Sequence, residues 1–191
     1  MTSAELVCVL QAIPAFKGAF PSGPGIACNT HGTRTGVRMG VDVRVLVEHE
    51  VAVLAALEPT GRDFAIGMWA AQQRGESVLL VAWVDDVPVG HGQLTTGVDP
   101  ELRNLHVAAV ARGHGVGTAI VHAAEGHARA AGAASLAVGV ADDNPRARAL
   151  YERLGYVGTG IRSTTTYDYV DDAGARRTAT ETDETLRRAL G

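Results

Sequence analysis

Cysteine and lysine are scarce in this sequence, and each scarcity narrows the range of functions. The 191 residues include two cysteines, Cys8 and Cys28, and one lysine, Lys17. Neither cysteine falls in a CxxC pair or in a Cys/His ligand spacing, which argues against a disulfide framework and a structural zinc. A P-loop would need a Gly-Lys-Ser/Thr ending, which the chain does not have. We therefore expect a protein of the reducing cytoplasm that needs no metal.

Long apolar runs and basic clusters are missing as well. No stretch of about 18 apolar residues is present, so no transmembrane helix is expected. Residues 6–16 are apolar, but Glu5 stands where a secretory signal needs positive charge. The formal net charge is -4 and no block of arginines stands out. We therefore expect neither a membrane nor a nucleic acid as a partner.

The composition that remains is that of one globular domain. Apolar residues make up 46% and charged residues 20% of the chain, and the length suits one domain with its own core. Residues 1–40 hold six of the 23 glycines and three of the seven prolines. We expect them to form an irregular, disordered extension before a domain at residues 41–191. Met39 offers an alternative start, which leaves open whether residues 1–38 belong to the natural protein.

Hydrophobic periodicity predicts alternating strands and helices in this domain. Strands are predicted over residues 41–47, 77–84, 87–94, 102–107, 136–140 and beyond 156, and helices over residues 48–57, 64–74, 115–131 and 145–154. Turns are predicted at residues 59–61, 85–86 and 171–174. Leu102 is out of phase with Leu105 and Val107, which predicts a β-bulge near Arg103 or Asn104.

A glycine-rich loop lies between a predicted strand and an amphipathic helix. It consists of Arg112, Gly113, His114, Gly115, Val116, Gly117 and Thr118. Glycines permit positive φ and close approach of an anion to the backbone, and the first turn of a helix presents unpaired N–H groups. A dinucleotide fingerprint needs the spacing G-x-G-x-x-G, whereas this loop reads G-x-G-x-G. The loop suits a pyrophosphate, although such glycines can also serve a tight turn alone.

A second motif follows 27 residues after Gly117 and reads Asn144, Ala147, Leu150, Tyr151, Gly155 and Tyr156 at its defined positions. The two segments together resemble the GNAT superfamily of N-acetyltransferases, whose patterns are Q/R-x-x-G-x-G/A and N-x-x-A-x-x-L-Y-x-x-x-G-F/Y. Every defined position is matched, in the family's order. The resemblance implies a single GNAT-like domain of the α/β (α+β) class. Its central sheet would be mixed and mostly antiparallel, with a splayed strand pair and flanking helices.

The resemblance also implies how acetyl-CoA would bind as co-substrate. In the family it lies where two adjacent strands splay, and its pantetheine pairs with the strand before the glycine loop. The backbone of Leu105, His106 and Val107 would therefore hold the thioester carbonyl and stabilise the oxyanion. Residues 112–118 would hold the pyrophosphate, and Asn144 would add a contact besides capping its helix.

Two residues are candidates for proton transfer to and from the reacting groups. A primary amine is almost fully protonated at neutral pH, so acetylation needs a base. Glu101 is placed like the glutamate that serves several relatives directly or through water, but a solvated strand-end carboxylate would look the same. Tyr151 resembles the family's general acid for the CoA thiolate and also suits packing on an apolar helix face. His91 and His106 are weaker candidates for the base.

The acceptor amine is not specified by the sequence. Family acceptor sites are built from the first two helices and the final hairpin, which here offer Phe64, Trp69, Tyr167, Asp168 and Tyr169. Such a lining would suit a cationic amine, although the same residues suit a core. Small molecules and peptides remain open as acceptors, as does the choice between monomer and homodimer. The alternative function is a non-catalytic acyl-CoA-binding or interaction module.

Overall fold

A mixed sheet and four helices make up the part of the chain that the computed structural model describes, which is residues 40–58, 64–170 and 175–191. The strands are β1 (Asp42–Val45), β2 (Ser77–Val84), β3 (Val87–Thr95), β4 (Glu101–Val107), β5 (Ser135–Ala141), β6 (Val157–Val170) and β7 (Arg176–Ala189). The α-helices are α1 (Val51–Ala55), α2 (Phe64–Gln73), α3 (Val116–Ala130) and α4 (Pro145–Arg153), and short 3-10 turns occupy Glu48–Glu50 and Ala109–Ala111. The predicted extension, except Gly40, and the predicted turns at residues 59–61 and 171–174 lie outside the described residues.

The sheet has the order β1-β2-β3-β4-β5-β7-β6. All neighbouring strands are antiparallel except β4 and β5, which are parallel. Helix α3 and helix α4 pack on one face, and α1 and α2 pack on the other. This confirms the predicted α/β (α+β) class, with a mixed and mostly antiparallel sheet flanked by helices.

Strands β4 and β5 meet only over two residue pairs, at the start of β4. Glu101 pairs with Ala137 and Leu102 pairs with Val138, and no further pair joins the two strands. From Arg103 onward β4 pairs with β3 alone, so one side of its backbone faces a widening gap. The predicted splayed pair is therefore present, and the sheet opens at this point.

Strand β4 carries one extra residue where it pairs with β3. His91 pairs with His106 and Gln93 pairs with Arg103, so three steps along β4 match two along β3. Asn104 adopts a left-handed φ of 53° inside this irregularity. The β-bulge predicted near Arg103 or Asn104 is confirmed, and it bends the strand next to the gap.

The apolar residues divide into packed layers on the two faces of the sheet. Alternation along β2 sends Leu80 to the α3 side and Leu79 to the α1–α2 side, as expected for a strand buried on both faces. The α3 side includes Val121, Ala124, Ala128, Leu136, Val138, Tyr151, Tyr156 and Leu186. Within the described residues no helix has the length and apolar character needed to cross a membrane.

The first predicted helix, residues 48–57, is shorter than its pattern suggests. Its start is a 3-10 turn at Glu48–Glu50, and the α-helical part covers only Val51–Ala55. The Glu50 carboxylate accepts a hydrogen bond from the Val47 backbone at 3.2 Å and also pairs with Arg44. These contacts hold the chain at a bend before α1, and they depend on β1, which lies outside the helix.

Candidate active site

The glycine loop presents the start of α3 to the splayed strands. Gly113 and Gly115 have φ of 82° and 85°, values that L side chains rarely adopt, so glycine is needed at both positions. The first helical bond is donated by Ala119 to the Gly115 carbonyl at 2.9 Å. The amides of residues 116–118 precede that bond, so the open end of the helix is an anion-binding position.

A cleft of about 1100 Å³ extends from this loop into the gap between β4 and β5. Most of the residues predicted for acetyl-CoA line it, namely Leu105, His106, Val107, Arg112, Gly113, Gly115, Val116, Gly117, Thr118 and Asn144. Both candidate proton-transfer residues, Glu101 and Tyr151, line it as well. His114 does not, and it is exposed. It stands between two glycines of positive φ, and its predicted role in cofactor binding stays a prediction.

Helix α4 closes one side of the cleft and is held by its predicted caps. The Asn144 carbonyl oxygen of the side chain accepts a hydrogen bond from the Ala147 backbone at 3.0 Å. Pro145 occupies the first helical position, and Gly155 follows the helix with φ of 86°. A Cβ added to Gly117 would lie 3.3 Å from the Leu150 side chain, so a glycine here lets α3 and α4 approach closely. These local features fix the position of Tyr151.

Tyr151 is buried and carries its hydroxyl to the cleft. The residue is 4% exposed, and its ring meets Tyr156 edge-on at 5.6 Å. Burial raises the pKa of the Tyr151 hydroxyl, and the negative charge of Glu101 adds to the effect. No hydrogen bond joins this hydroxyl to a described residue. A neutral phenol in this place can donate a proton and does not lose it to bulk water at neutral pH.

Glu101 lies at the narrow end of the gap and is engaged by an arginine. The Arg103 Nε donates to Glu101 Oε2 at 2.7 Å, and the Glu101 backbone donates to Thr95 Oγ1 at 2.8 Å. Both side chains are partly exposed. The contact with Arg103 limits the rotation of the Glu101 side chain toward a substrate.

Three acidic residues that sequence reasoning did not propose also line the cleft. Asp143 follows β5, and Glu181 and Asp183 lie on β7, which pairs with β5 so that Asp183 lies opposite Ala141. Burial raises the pKa of Asp183, and repulsion from Glu181 and then from Glu101 raises it further. The alternation of the two β7 carboxylates with Thr182 and Glu184 was visible in the sequence, but only the register of β7 shows which carboxylates face the gap.

Side chains of three neighbouring strands form a polar chain that ends at the bulge. Gln93 donates to Ser77 Oγ at 2.8 Å, and Asn104 donates to Gln93 Oε1 at 3.0 Å. The remaining oxygen of the Asn104 side chain is buried and accepts no hydrogen bond from the described residues. This oxygen is closed off from solvent, although Asn104 is one of the residues that line the cleft, so the polar chain ends in a buried group and holds the bulge in place.

The two histidines of this region form a buried neutral pair. The rings of His91 and His106 lie 5.6 Å apart at 31°, and each has a buried Nε2 with no partner among the described residues. Burial, with repulsion from His106, lowers the pKa of His91 to about 3. Burial, with repulsion from Arg112, lowers the pKa of His106 to about 4. Neither histidine has a pKa near neutral pH, so neither is suited to act as the general base there.

This pair should make the protein less stable in mild acid. Between the ordinary histidine pKa of 6.5 and the lowered values, the unfolded chain binds protons that the folded chain does not. The free energy of unfolding therefore falls as the pH decreases through this window, by up to about 1.4 kcal/mol per pH unit for each histidine. Urea unfolding of His91→Leu at pH 6.5 and 4.5 should show a shallower loss than the wild type. Equal losses of unfolding free energy in the two proteins would contradict the lowered pKa of His91.

The aromatic residues considered for the acceptor site do not line the cleft. Phe64 and Trp69 pack against the α1–α2 core layer. Tyr167 is buried, and Asp168 accepts a hydrogen bond from Thr178 across the β6–β7 hairpin at 2.6 Å. The side chain of Tyr169 lies outside the described residues. Phe64 and Trp69 are partly buried on the core layer, and their place in an acceptor site stays a prediction.

Several solved structures share this fold. Solved structures that match include the ribosomal-protein-S18-alanine N-acetyltransferase of Escherichia coli, with TM-score 0.60 and 16% identity over 79% of this chain and 94% of that chain. An acetyltransferase of Salmonella typhimurium with acetyl-CoA matches with TM-score 0.56 and 16% identity over 80% and 95%. Nourseothricin acetyltransferase matches with TM-score 0.51 and 27% identity over 62% and 68%.

The sequence comparisons give the family directly. A search of curated protein sequences finds no match. Residues 46–156 match the acetyltransferase (GNAT) family, and this stretch runs from the end of β1 through the glycine loop to the end of the second motif. With the splayed strands, the bulge and the loop in place, the chain belongs to the acetyltransferase (GNAT) family.

Proposed function

We propose that this protein moves an acetyl group from acetyl-CoA to an amine of a small molecule or peptide by direct attack of the amine on the thioester. The observation that carries the proposal is the meeting of three features in one cleft: the open start of α3, the unpaired side of β4 and the Tyr151 hydroxyl. Two proteins of similar structure agree with it, one an alanine N-acetyltransferase and the other a Salmonella typhimurium protein with acetyl-CoA as its cofactor.

The wide end of the cleft is suited to the phosphates of acetyl-CoA. Its positive charge comes from Arg112, Arg146 and Arg153, which line it together with the glycine loop. The Arg112 Nε donates to the Val107 carbonyl at 2.9 Å, which ties the loop to the end of β4. Backbone amides at the start of α3 and these guanidinium groups supply the donors that a pyrophosphate accepts.

The part of the cleft beside β4 is suited to the reaction. From Arg103 onward β4 has no partner on its β5 side, and a backbone N–H group of residues 105–107 that points to this side would donate to the thioester oxygen as it becomes negative. The attacking nitrogen forms a bond to the carbonyl carbon, and the bond from that carbon to sulfur then breaks. Tyr151 donates its proton to the departing thiolate, and a cleft carboxylate takes the proton from the ammonium.

The glycine loop gives the first test of the proposal. Gly115→Glu places a negative carboxylate at the anion-binding start of α3, so the affinity for CoA should fall at least about tenfold, or about 1.4 kcal/mol. Gly75→Glu is the matched control, because Gly75 also has positive φ, 73°, and open space around its Cβ position, but lies at the end of α2. Calorimetric titration with CoA should show the loss only in Gly115→Glu, and equal affinities would place the phosphates elsewhere.

The transfer itself is tested with a library of amines. Incubation of the protein and acetyl-CoA with each amine, followed by mass spectrometry, should show the added acetyl mass on at least one member. CoA binding without transfer to any amine would instead favour a non-catalytic acyl-CoA-binding module, which is the alternative function. Transfer of acetyl to an oxygen or sulfur nucleophile in place of nitrogen would contradict the proposal that the acceptor is an amine.

A further inference from the structure

The face of the sheet opposite α3 and α4 carries the unassigned carboxylates Glu181 and Asp183. On β7 the side chain of Leu186 lies in the core layer under α3. Residues at odd numbers along this strand therefore point to the opposite face. Gly139 separates Asp183 from Glu101, since a Cβ on this glycine would lie 3.5 Å from Glu101 Oε1 and 4.0 Å from the Asp183 Cβ. Glu101 and Asp183 thus lie on either side of Gly139, and Glu181 precedes Asp183 by two residues on the same face of β7, so all three carboxylates line the cleft.

The negative charge here is only partly balanced by the protein. Three nearby carboxylates have an arginine partner, and these pairs are Glu101 with Arg103, Glu184 with Arg148 and Asp142 with Arg162. Within the described residues, no ion pair or hydrogen bond engages the side chain of Glu181, Asp183 or Asp143. Mutual repulsion among Asp183, Glu181 and Glu101, with the more distant Asp142 and Asp143, is one reason why the pKa of Asp183 is raised. A cation bound between them would relieve this repulsion.

Two further polar groups of the same cleft lack a protein partner. Tyr151 is 4% exposed and has no hydrogen bond from its hydroxyl to the described residues, although the hydroxyl faces the cleft. The side-chain oxygen of Asn104 is also unpartnered, but it is closed off from solvent and not open to a ligand. The Tyr151 hydroxyl is therefore the group that a polar ligand in the cleft can reach.

Resting on the proposed function, we propose that the acceptor is an aliphatic amine with a second positive charge, whose reacting ammonium group binds Asp183 and whose second ammonium group binds Glu181. Side chains two residues apart on one face of a strand are separated by about 7 Å. The two nitrogens of the acceptor should therefore lie at about this distance, as in a diamine with a short methylene chain.

Asp183 then serves as the base and leaves Glu101 to its contact with Arg103. Its carboxylate takes one proton from the reacting ammonium, and the neutral nitrogen attacks the thioester carbon. The nitrogen loses its second proton as the C–S bond breaks, and the thiolate gains one proton from Tyr151, which is reprotonated by the proton released from nitrogen. The products are the acetylated amine and CoA, and the proton on Asp183 returns to water.

The test compares matched amines. For the wild-type protein, kcat/KM should be at least about tenfold higher for 1,4-diaminobutane than for butylamine, measured as CoA release. Glu181→Gln should reduce this ratio to about twofold or less, because the second ammonium group then has no carboxylate to bind. Asp183→Asn should lower kcat about 30-fold for both amines with unchanged CoA affinity. Glu76→Gln, an exposed carboxylate outside the cleft, is the matched charge control and should change none of these values.

The outcomes separate this inference from the proposed function. Acetyl transfer that shows no preference for the second charge, or a preference that survives Glu181→Gln, overturns the diamine assignment and leaves the N-acetyltransferase intact. Full kcat in Asp183→Asn together with a large loss in Glu101→Gln overturns the assignment of the base. If no amine in the library is acetylated, the proposed function fails and this inference fails with it. Calorimetry of 1,4-diaminobutane on the CoA-bound protein then shows whether the carboxylates bind a dication at all.

Discussion

The variant Tyr151→Phe should lose about 10² to 10⁴ in kcat while its affinity for acetyl-CoA changes little. The substitution keeps the ring that packs against Tyr156 and removes only the hydroxyl at the cleft. A proton donor to the departing sulfur acts only as the thiolate develops, so its removal affects turnover and not ground-state binding. Steady-state kinetics with an identified acceptor, together with calorimetric titration of CoA, measure the two quantities separately.

The neighbouring tyrosine, Tyr156, provides a matched control. The Tyr156 hydroxyl donates to Glu125 at 3.2 Å and is not among the groups that line the cleft. Tyr156→Phe should therefore lower the free energy of unfolding by about 1 kcal/mol and leave kcat nearly unchanged. If Tyr151→Phe retained full kcat across the pH range, Tyr151 would be a packing residue and the thiolate would leave without a protein acid.

The second large effect is a loss of folding stability, and it concerns Glu125, a buried carboxylate that does not line the cleft. Glu125 on α3 is 2% exposed and accepts hydrogen bonds from Arg188 at 2.7 Å and from Tyr156. Arg188→Met would remove the closest positive charge and leave a buried carboxylate with weaker partners. The free energy of unfolding should fall by about 3 kcal/mol, because the desolvation of the carboxylate is no longer offset. Urea unfolding followed by circular dichroism measures the change.

Arg187, the residue before Arg188 on β7, provides the control for this loss of stability. Arg187 pairs with Asp99, whose side chain is 77% exposed, so Arg187→Met should change the free energy of unfolding by no more than about 1 kcal/mol. The double variant Glu125→Met/Arg188→Met removes both charges of the buried pair and should regain most of the stability lost in Arg188→Met. A loss in the double variant as large as the sum of two single losses would mean that Glu125 is not held mainly by Arg188.

The parts of the site that sequence could predict are those made by local rules. The cap at Asn144, the glycine after α4, the two-residue turn at Asp85 and Asp86 and the bulge in β4 each depend on residues a few positions apart. Local geometry of this kind is set by residue type and spacing, so the loop and the caps of α4 could be predicted directly, whereas the role of Tyr151 was implied by the resemblance to the GNAT superfamily.

The parts that sequence could not predict depend on distant pairing. Glu125 reads as half of an exposed i,i+4 pair with Arg129, and that contact is present at 3.5 Å. Its stronger partner, Arg188, comes 63 residues later. Asp183 faces the cleft only because β7 aligns it with Ala141 and Ser163 at the same time. A shift of one residue in that register would turn Asp183 away and bring Glu184 in its place.

The position of β7 inside the sheet also bears on how the protein is made. Strand β6 precedes β7 in the chain, but β7 lies between β5 and β6, so β6 has no strand to join until β7 has left the ribosome. Until then β5 presents an open edge, and the α3–α4 layer lacks Leu186. A nascent chain that stalls before residue 176 would therefore expose both an unpaired strand and apolar surface, a state that invites aggregation and chaperone binding.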